Sequence, residues 1–174
     1  MRRWWRLRSL ALALCSVGCA SPRAQSQPAD TTIGTGADSL ASVRLERGSC
    51  RGNCPSYIVS LASDGLVRFT GLRAVRPIGT DSARVSRSAV AALRTAFAIR
   101  QFARVPSTIE YGTPACGSYV ADLPTHILAL RSASGEHRVT YDEGCRNHPM
   151  LLDTLVRMVD SISGSARWTL PPNR

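Results

Sequence analysis

The chain has 174 residues, enough for one domain of ordinary size and too few for two comfortable ones. Apolar residues make up 44%, the share of a globular core and not of a disordered chain. The formal charge is +10, all 22 basic residues are arginines and aromatics are 6%; dispersed arginines with so few stacking aromatics argue against a nucleic-acid partner, and arginine used without any lysine reflects coding composition more than a binding face.

The chain opens on MRRWWRLR and continues into SLALALCSVG, a short apolar run ending in small residues around Cys19. A basic start, a short apolar core and a small-residue exit predict a secretory signal over residues 1–19. The run is too short for a membrane-spanning helix, which needs roughly 20 apolar residues. Arg2, Arg3, Arg6 and Arg8 belong to that leader, so part of the basicity serves export. The segment SVGC, residues 16–19, resembles a bacterial lipobox: Val17 and Gly18 fit, while Ser16 stands where leucine is usual. Cys19 is then the lipid anchor. Ordinary cleavage after Ala20 is the alternative, and it would release a secreted chain. Ala20 in place of Asp after the anchor favours the outer membrane, with the domain facing the periplasm. Residues 20–41 are rich in Ser, Thr, Pro, Gly, Gln and Ala and read as a flexible tether.

The folded domain is expected over residues 42–170. SVRLER (42–47) alternates Val43 and Leu45 with polar residues, a half-buried strand. SYIVSLA follows with Tyr57, Val59 and Leu61 on one face, then a turn at Ser63, Asp64 and Gly65, then LVRFT; two such runs across Asp-Gly make a hairpin. RAVRPIG (73–79) is a further candidate strand, confined to an edge or bulge by Pro77. The period then changes. SRSAVAALRTAFAIRQF sets Val90, Leu93 and Phe97 at helical spacing behind Ser86, a good N-cap. THILALR and EHRVTY flank SASG as a second hairpin. In HPMLLDTLVRMVDSI, Leu151, Leu152, Leu155, Met158, Val159 and Ile162 form an amphipathic face, with Asn147 as cap, Pro149 in the first turn and Gly164 as stop. The order strands, helix, strands, helix with short hairpin turns predicts an α+β domain: an antiparallel sheet of hairpins with two helices packed on one face.

Cys50, Cys54, Cys116 and Cys145 remain after the leader, and an even count in an exported domain argues for disulfides. Four cysteines allow three pairings. We favour Cys50–Cys54 and Cys116–Cys145, because the second pair brackets the later hairpin and would close a loop worth about 3 kcal/mol. The alternative reads Cys50 and Cys54 as a functional pair, since C-x-x-x-C-P resembles the copper site of Sco-type envelope proteins and thiolates suit Cu(I). A strand and hairpin follow here where that site leads into a helix, and His126, His137 and His148 have no diagnostic ligand spacing.

Other chemistry is sparse. Asp122 before Leu123 and Pro124 suits a turn or cap, and Asp142 and Glu143 read as solvated strand-end carboxylates. The three histidines read as surface or satisfied core groups, and Trp168 as a core plug. No nucleophile elbow or phosphate-cradling loop is present. No cofactor is expected, and the reading leans away from an enzyme.

The residues CRGNCPSYIVSLASDGLVRFTG, followed by Ser86 and its helix to Phe102, Tyr111, ADLP and Trp168, resemble the bacterial domain-of-unknown-function family numbered 6438. The resemblance covers nearly all of residues 43–168. It implies a secreted or lipid-anchored domain and offers no activity. The expected function is therefore an exported, lipid-anchored, non-enzymatic binding or structural module that meets an unidentified envelope component. Gly52, Pro55, Tyr57, Asp122 and Pro124 are the candidates for its contact surface.

Overall fold

A computed structural model of the chain describes residues 40–169. The expected leader, the Cys19 anchor, the tether up to residue 39 and Leu170 lie outside the described residues. Among the described residues seven strands form one sheet: β1 (Leu40–Arg47), β2 (Ser56–Ala62), β3 (Leu66–Arg73), β4 (Gly79–Arg84), β5 (Thr108–Ile109), β6 (Thr125–Ser132) and β7 (Gly135–Asp142). Their spatial order is β4-β3-β2-β1-β6-β7-β5. Two helices, α1 (Arg87–Ile99) and α2 (Met150–Ser163), follow the two runs of strands. This is the α+β architecture that the hydrophobic pattern predicts.

Alternation decides which face is buried. Val43 and Leu45 on β1, Val59 and Leu61 on β2, Val67 and Phe69 on β3, Leu128 on β6 and Val139 on β7 point to one side and are essentially inaccessible. Val90, Leu93 and Phe97 of α1 and Leu152, Leu155, Val156 and Val159 of α2 meet them in one core. Trp168 plugs the β3 side: it stacks on Phe69 at 4.4 Å between ring centroids, and its indole N–H donates to Asp81 at 2.7 Å. Burying this apolar surface supplies the main driving force of the fold. Ser86 caps α1 by accepting from the Ala89 amide, and Gly164 ends α2 in the left-handed region, φ 67°.

The two halves join through β1. It pairs antiparallel with β2 on one side and with β6 on the other, Leu45 lying between Val59 and Leu128. β5 pairs parallel with β7, so the sheet is mostly, not wholly, antiparallel.

Several elements differ from expectation for identifiable reasons. β1 begins at Leu40 and takes in Leu40 and Ala41, which the composition had placed in the tether. The expected strand at RAVRPIG is instead a reversal after Arg73: Ala74 adopts φ 50°, and only Val75 makes an isolated bridge, to Thr169. The fourth strand is GTDSAR, an edge strand so polar that alternation does not reveal it. α2 begins at Met150 with Pro149 at its N-cap and no side-chain cap. Asn147 lies two residues before that cap, its backbone amide donating to the Cys116 carbonyl at 3.1 Å. Asp142 is 9% exposed, not solvated, because it accepts from the Tyr119 hydroxyl at 3.1 Å and from the Gly144 amide at 2.7 Å.

Candidate functional site

The strand register lines up Tyr57, Arg47, His126 and Tyr141 as one row across β2, β1, β6 and β7. All four lie on the helix-bearing face, in phase with the core residues of their strands. Polar groups on that face must find partners or carry a desolvation penalty. α2 supplies them from above. Asp160 receives Arg47 Nε and Nη2 on Oδ2 at 2.9 and 2.6 Å, and the Tyr57 hydroxyl and Ser165 hydroxyl on Oδ1, the latter at 2.9 Å. Asp153, two turns earlier on α2, accepts from the Tyr141 hydroxyl at 3.4 Å and from His148 Nε2 at 3.0 Å.

Both carboxylate oxygens of Asp160 are thus committed. Burial raises the Tyr57 hydroxyl far above the ordinary tyrosine value, and Asp160 raises it further. Tyr57 therefore stays protonated and donates. Burial works against the Arg47 charge, but the charge and hydrogen bonds of Asp160 hold it, so its pKa ends above the ordinary value. Arg47 is permanently charged here.

His126 is 1% exposed. Its Nε2 lies 2.6 Å from Glu143 Oε1 and 3.4 Å from Arg47 Nη1. The hydrogen bond to His126 holds the Glu143 carboxyl below its usual range, so Glu143 is ionised and Nε2 carries the shared proton. A nitrogen that donates to Glu143 has no lone pair for Arg47. Among the described residues Arg47 Nη1 is left without a matched acceptor beside the cavity. The other imidazole nitrogen, Nδ1, is buried with no partner among the described residues, sealed away from any incoming group.

Tyr57, Arg47 and His126 of this row, with Glu143 and Asp160, form the floor of an open cavity of about 660 Å³. The β1–β2 loop walls it with Cys50, Arg51, Cys54 and Pro55, and the segment before β6 adds Asp122, Leu123 and Pro124. The two walls are tied to each other. The Arg51 amide donates to the Asp122 carbonyl at 3.2 Å, and Arg51 Nη1 lies 3.3 Å from Asp122 Oδ2. Asp122 has φ 70°, the turn geometry expected of it. Cys50 and Cys54 form a disulfide that closes the loop, with Cα atoms 5.6 Å apart. In that form neither sulfur is a thiolate ligand. Cys116 and Cys145 form the second disulfide, Cα atoms 4.4 Å apart.

Of the residues the sequence singles out, Cys50, Cys54, Pro55, Tyr57, Asp122 and Pro124 converge on this cavity. Gly52 is not among its lining residues; it stands exposed in the loop, at φ 144°. Cys116 and Cys145 are buried outside it, pinning the segment before β6 to the end of β7. Sequence reasoning missed Arg47, His126, Glu143, Asp160 and Ser165 as parts of one site. A signal existed for two of them. Arg47 follows Val43 and Leu45 in phase, and Asp160 falls one turn after Val156 on the apolar stripe of α2, both unusual places for a charge. Among the described residues no group of three or more His, Cys, Asp and Glu side chains could hold a metal ion.

In comparison with known families, the family described as Domain of unknown function (DUF6438) matches residues 41–163. That span contains Arg47, Tyr57, His126, Glu143 and Asp160. No curated protein matches the chain.

Proposed function

We propose, from a chain that belongs to the DUF6438 family, that this protein is an exported, lipid-anchored envelope module whose cavity binds a segment of another envelope protein. The observation that carries this reading is the convergence of Cys50, Pro55 and Tyr57 with Asp122 and Pro124 around one cavity. A disulfide and two prolines make rigid walls, and a rigid concave surface loses little entropy on binding. The polar floor supports binding over chemistry. Asp160 is saturated by its four donors, and His126 has one nitrogen committed and the other sealed. What the floor offers is Arg47 Nη1, which suits a backbone carbonyl or other acceptor oxygen of the bound segment. Two disulfides fit an oxidising compartment, and the leader and Cys19 supply the route there. The domain would face the periplasm from the outer membrane.

Two measurements test the reading. Metabolic acyl labelling of the full chain should disappear on Cys19→Ala. A photo-crosslinking residue at Leu123 should capture one defined envelope protein, and the same residue at exposed Arg94 should not. Recovery of the chain in the cytosol with four reduced cysteines, or equal capture from both positions, would overturn it.

A further inference from the structure

The face of the sheet opposite the helices carries a basic pattern that neither the core nor the cavity explains. Alternation directs Arg44 of β1, Arg68 of β3, Arg131 of β6 and Arg138 of β7 to that face, out of phase with the core residues Val43 and Leu45, Val67 and Phe69, Leu128, and Val139 and Tyr141, and Arg84 of β4 joins them opposite Leu66. The register orders three of them in a line: Arg68 opposes Ser60, Ser60 opposes Arg44, Arg44 opposes Ala129, and Ala129 opposes Arg138. Small side chains separate the arginines, so the guanidinium-bearing strands stand about 10 Å apart, two strand spacings. Arg84 and Arg131 lie two residues further along their strands, in the adjacent row of the same face.

The acids on this face do not balance it. Glu46 pairs with Arg44 at 3.1 Å, and Asp64 in the β2–β3 turn lies 3.8 Å from Arg84. Glu136 stands opposite Arg131 in the register. Asp142 is covered and committed to Tyr119 and Gly144. Arg68, Arg131 and Arg138 are exposed and make no salt bridge among the described residues. Both helices lie on the other side. The cavity described above lies there too, lined by the in-phase residues Arg47, Tyr57 and His126.

We propose that this open sheet face docks on a bilayer surface of anionic lipid headgroups. A broad, shallow array of separated guanidiniums suits many phosphates spread over a plane, whereas a chain-like polyanion is better held by a groove. The choice of a bilayer also rests on the lipid-anchored reading above. The face and the cavity are distinct surfaces, so a domain lying sheet-down on the membrane keeps the cavity open to a partner.

The test uses the full chain and vesicles of phosphatidylglycerol with phosphatidylcholine, or of phosphatidylcholine alone. An acyl chain or apolar leader contributes to both, so the difference between them reads the headgroup charge. Removing one arginine from an anionic surface costs roughly fivefold in binding. R68T/R131T/R138T should therefore lose at least about tenfold of the phosphatidylglycerol-dependent binding. R87Q/R94Q/R157Q, with the same net charge change on the helices, should lose less than about threefold. Binding by the unaltered chain should also fall steeply between low and high salt. Equal loss in the two variants, or a sheet variant that keeps its preference, would overturn the proposal. So would salt-independent binding, or arginine-dependent binding to soluble polyphosphate without binding to vesicles. Acyl labelling at Cys19 alongside any of these failures would leave the anchor standing and remove only the docking face.

Discussion

Tyr57 on β2 and Asp160 on α2 are separated by 103 positions in the chain, and the tyrosine hydroxyl donates to the aspartate. Arg47 and Ser165 complete the same carboxylate. The group is both a lock between sheet and helix and the floor of the cavity, so disturbing it should affect stability and shape together.

Tyr57→Phe removes one donor and leaves Asp160 otherwise supported. It should cost about 1–2 kcal/mol with the fold intact. Asp160→Ala should cost more, about 2–3 kcal/mol, because it leaves the Arg47 charge unpaired among partly buried groups. The cost stays below that of a fully buried pair, since Arg47 and Asp160 are 24% and 20% exposed. Urea unfolding of the two variants checks the order; equal losses would contradict it.

His148 makes a pH prediction. Its Nδ1 faces the Cys145 carbonyl and its Nε2 faces the Asp153 carboxylate, so both nitrogens must donate and the bonded form is the imidazolium. Burial pushes the His148 pKa down, but these two hydrogen bonds outweigh it and raise the net value above the ordinary histidine range. A raised folded-state pKa contributes stability that is fully present below the unfolded value, about 6.5, and is lost as pH rises through the higher folded value. The stability gap between the unaltered protein and His148→Gln should be widest at pH 5–6 and should narrow above neutrality. A gap that widens with rising pH would reverse the assignment.

The disulfides should be unequal. Cys116–Cys145 spans 29 positions and Cys50–Cys54 spans 4. Chain entropy assigns them about 3.5 and about 2 kcal/mol. Cys116 and Cys145 are also buried in the core, so C116S/C145S adds a polar-burial cost that C50S/C54S lacks. Thermal unfolding should show the larger drop for C116S/C145S.

Gly48 sits where β1 leaves the sheet and enters the cavity wall. Its amide donates to the Thr125 carbonyl at 2.8 Å, and a Cβ at this position would run into that same carbonyl. Its φ lies outside the left-handed region, so the constraint is space alone. Gly48→Ala should cost about 1–3 kcal/mol through overpacking and should speed hydrogen exchange at the residue-48 amide, whose acceptor is pushed away.

The two hairpins, the two helices, the buried faces of β1, β2 and α1, and the favoured cysteine pairs were legible because each depends on neighbours in the chain. Period-two and period-3.6 patterns, a Ser N-cap and a cysteine pair bracketing a hairpin are local records of burial and turn chemistry. GTDSAR was illegible because an edge strand buries too little to enforce alternation. Asp142 was misread because Tyr119, 23 residues earlier, returns to cover it.

The amino-acid order alone determined the composition of the core, the α+β class and the position of Tyr57 on an inward face, since hydrophobic burial imposes its period on every strand and helix. Only the tertiary structure decided that β1 would run between β2 and β6. That pairing sets Arg47 between Tyr57 and His126 and gathers Arg47 and Tyr57 under Asp160, because the register between Arg47 and His126, 79 positions apart, is chosen by the shared core and leaves no mark in either strand.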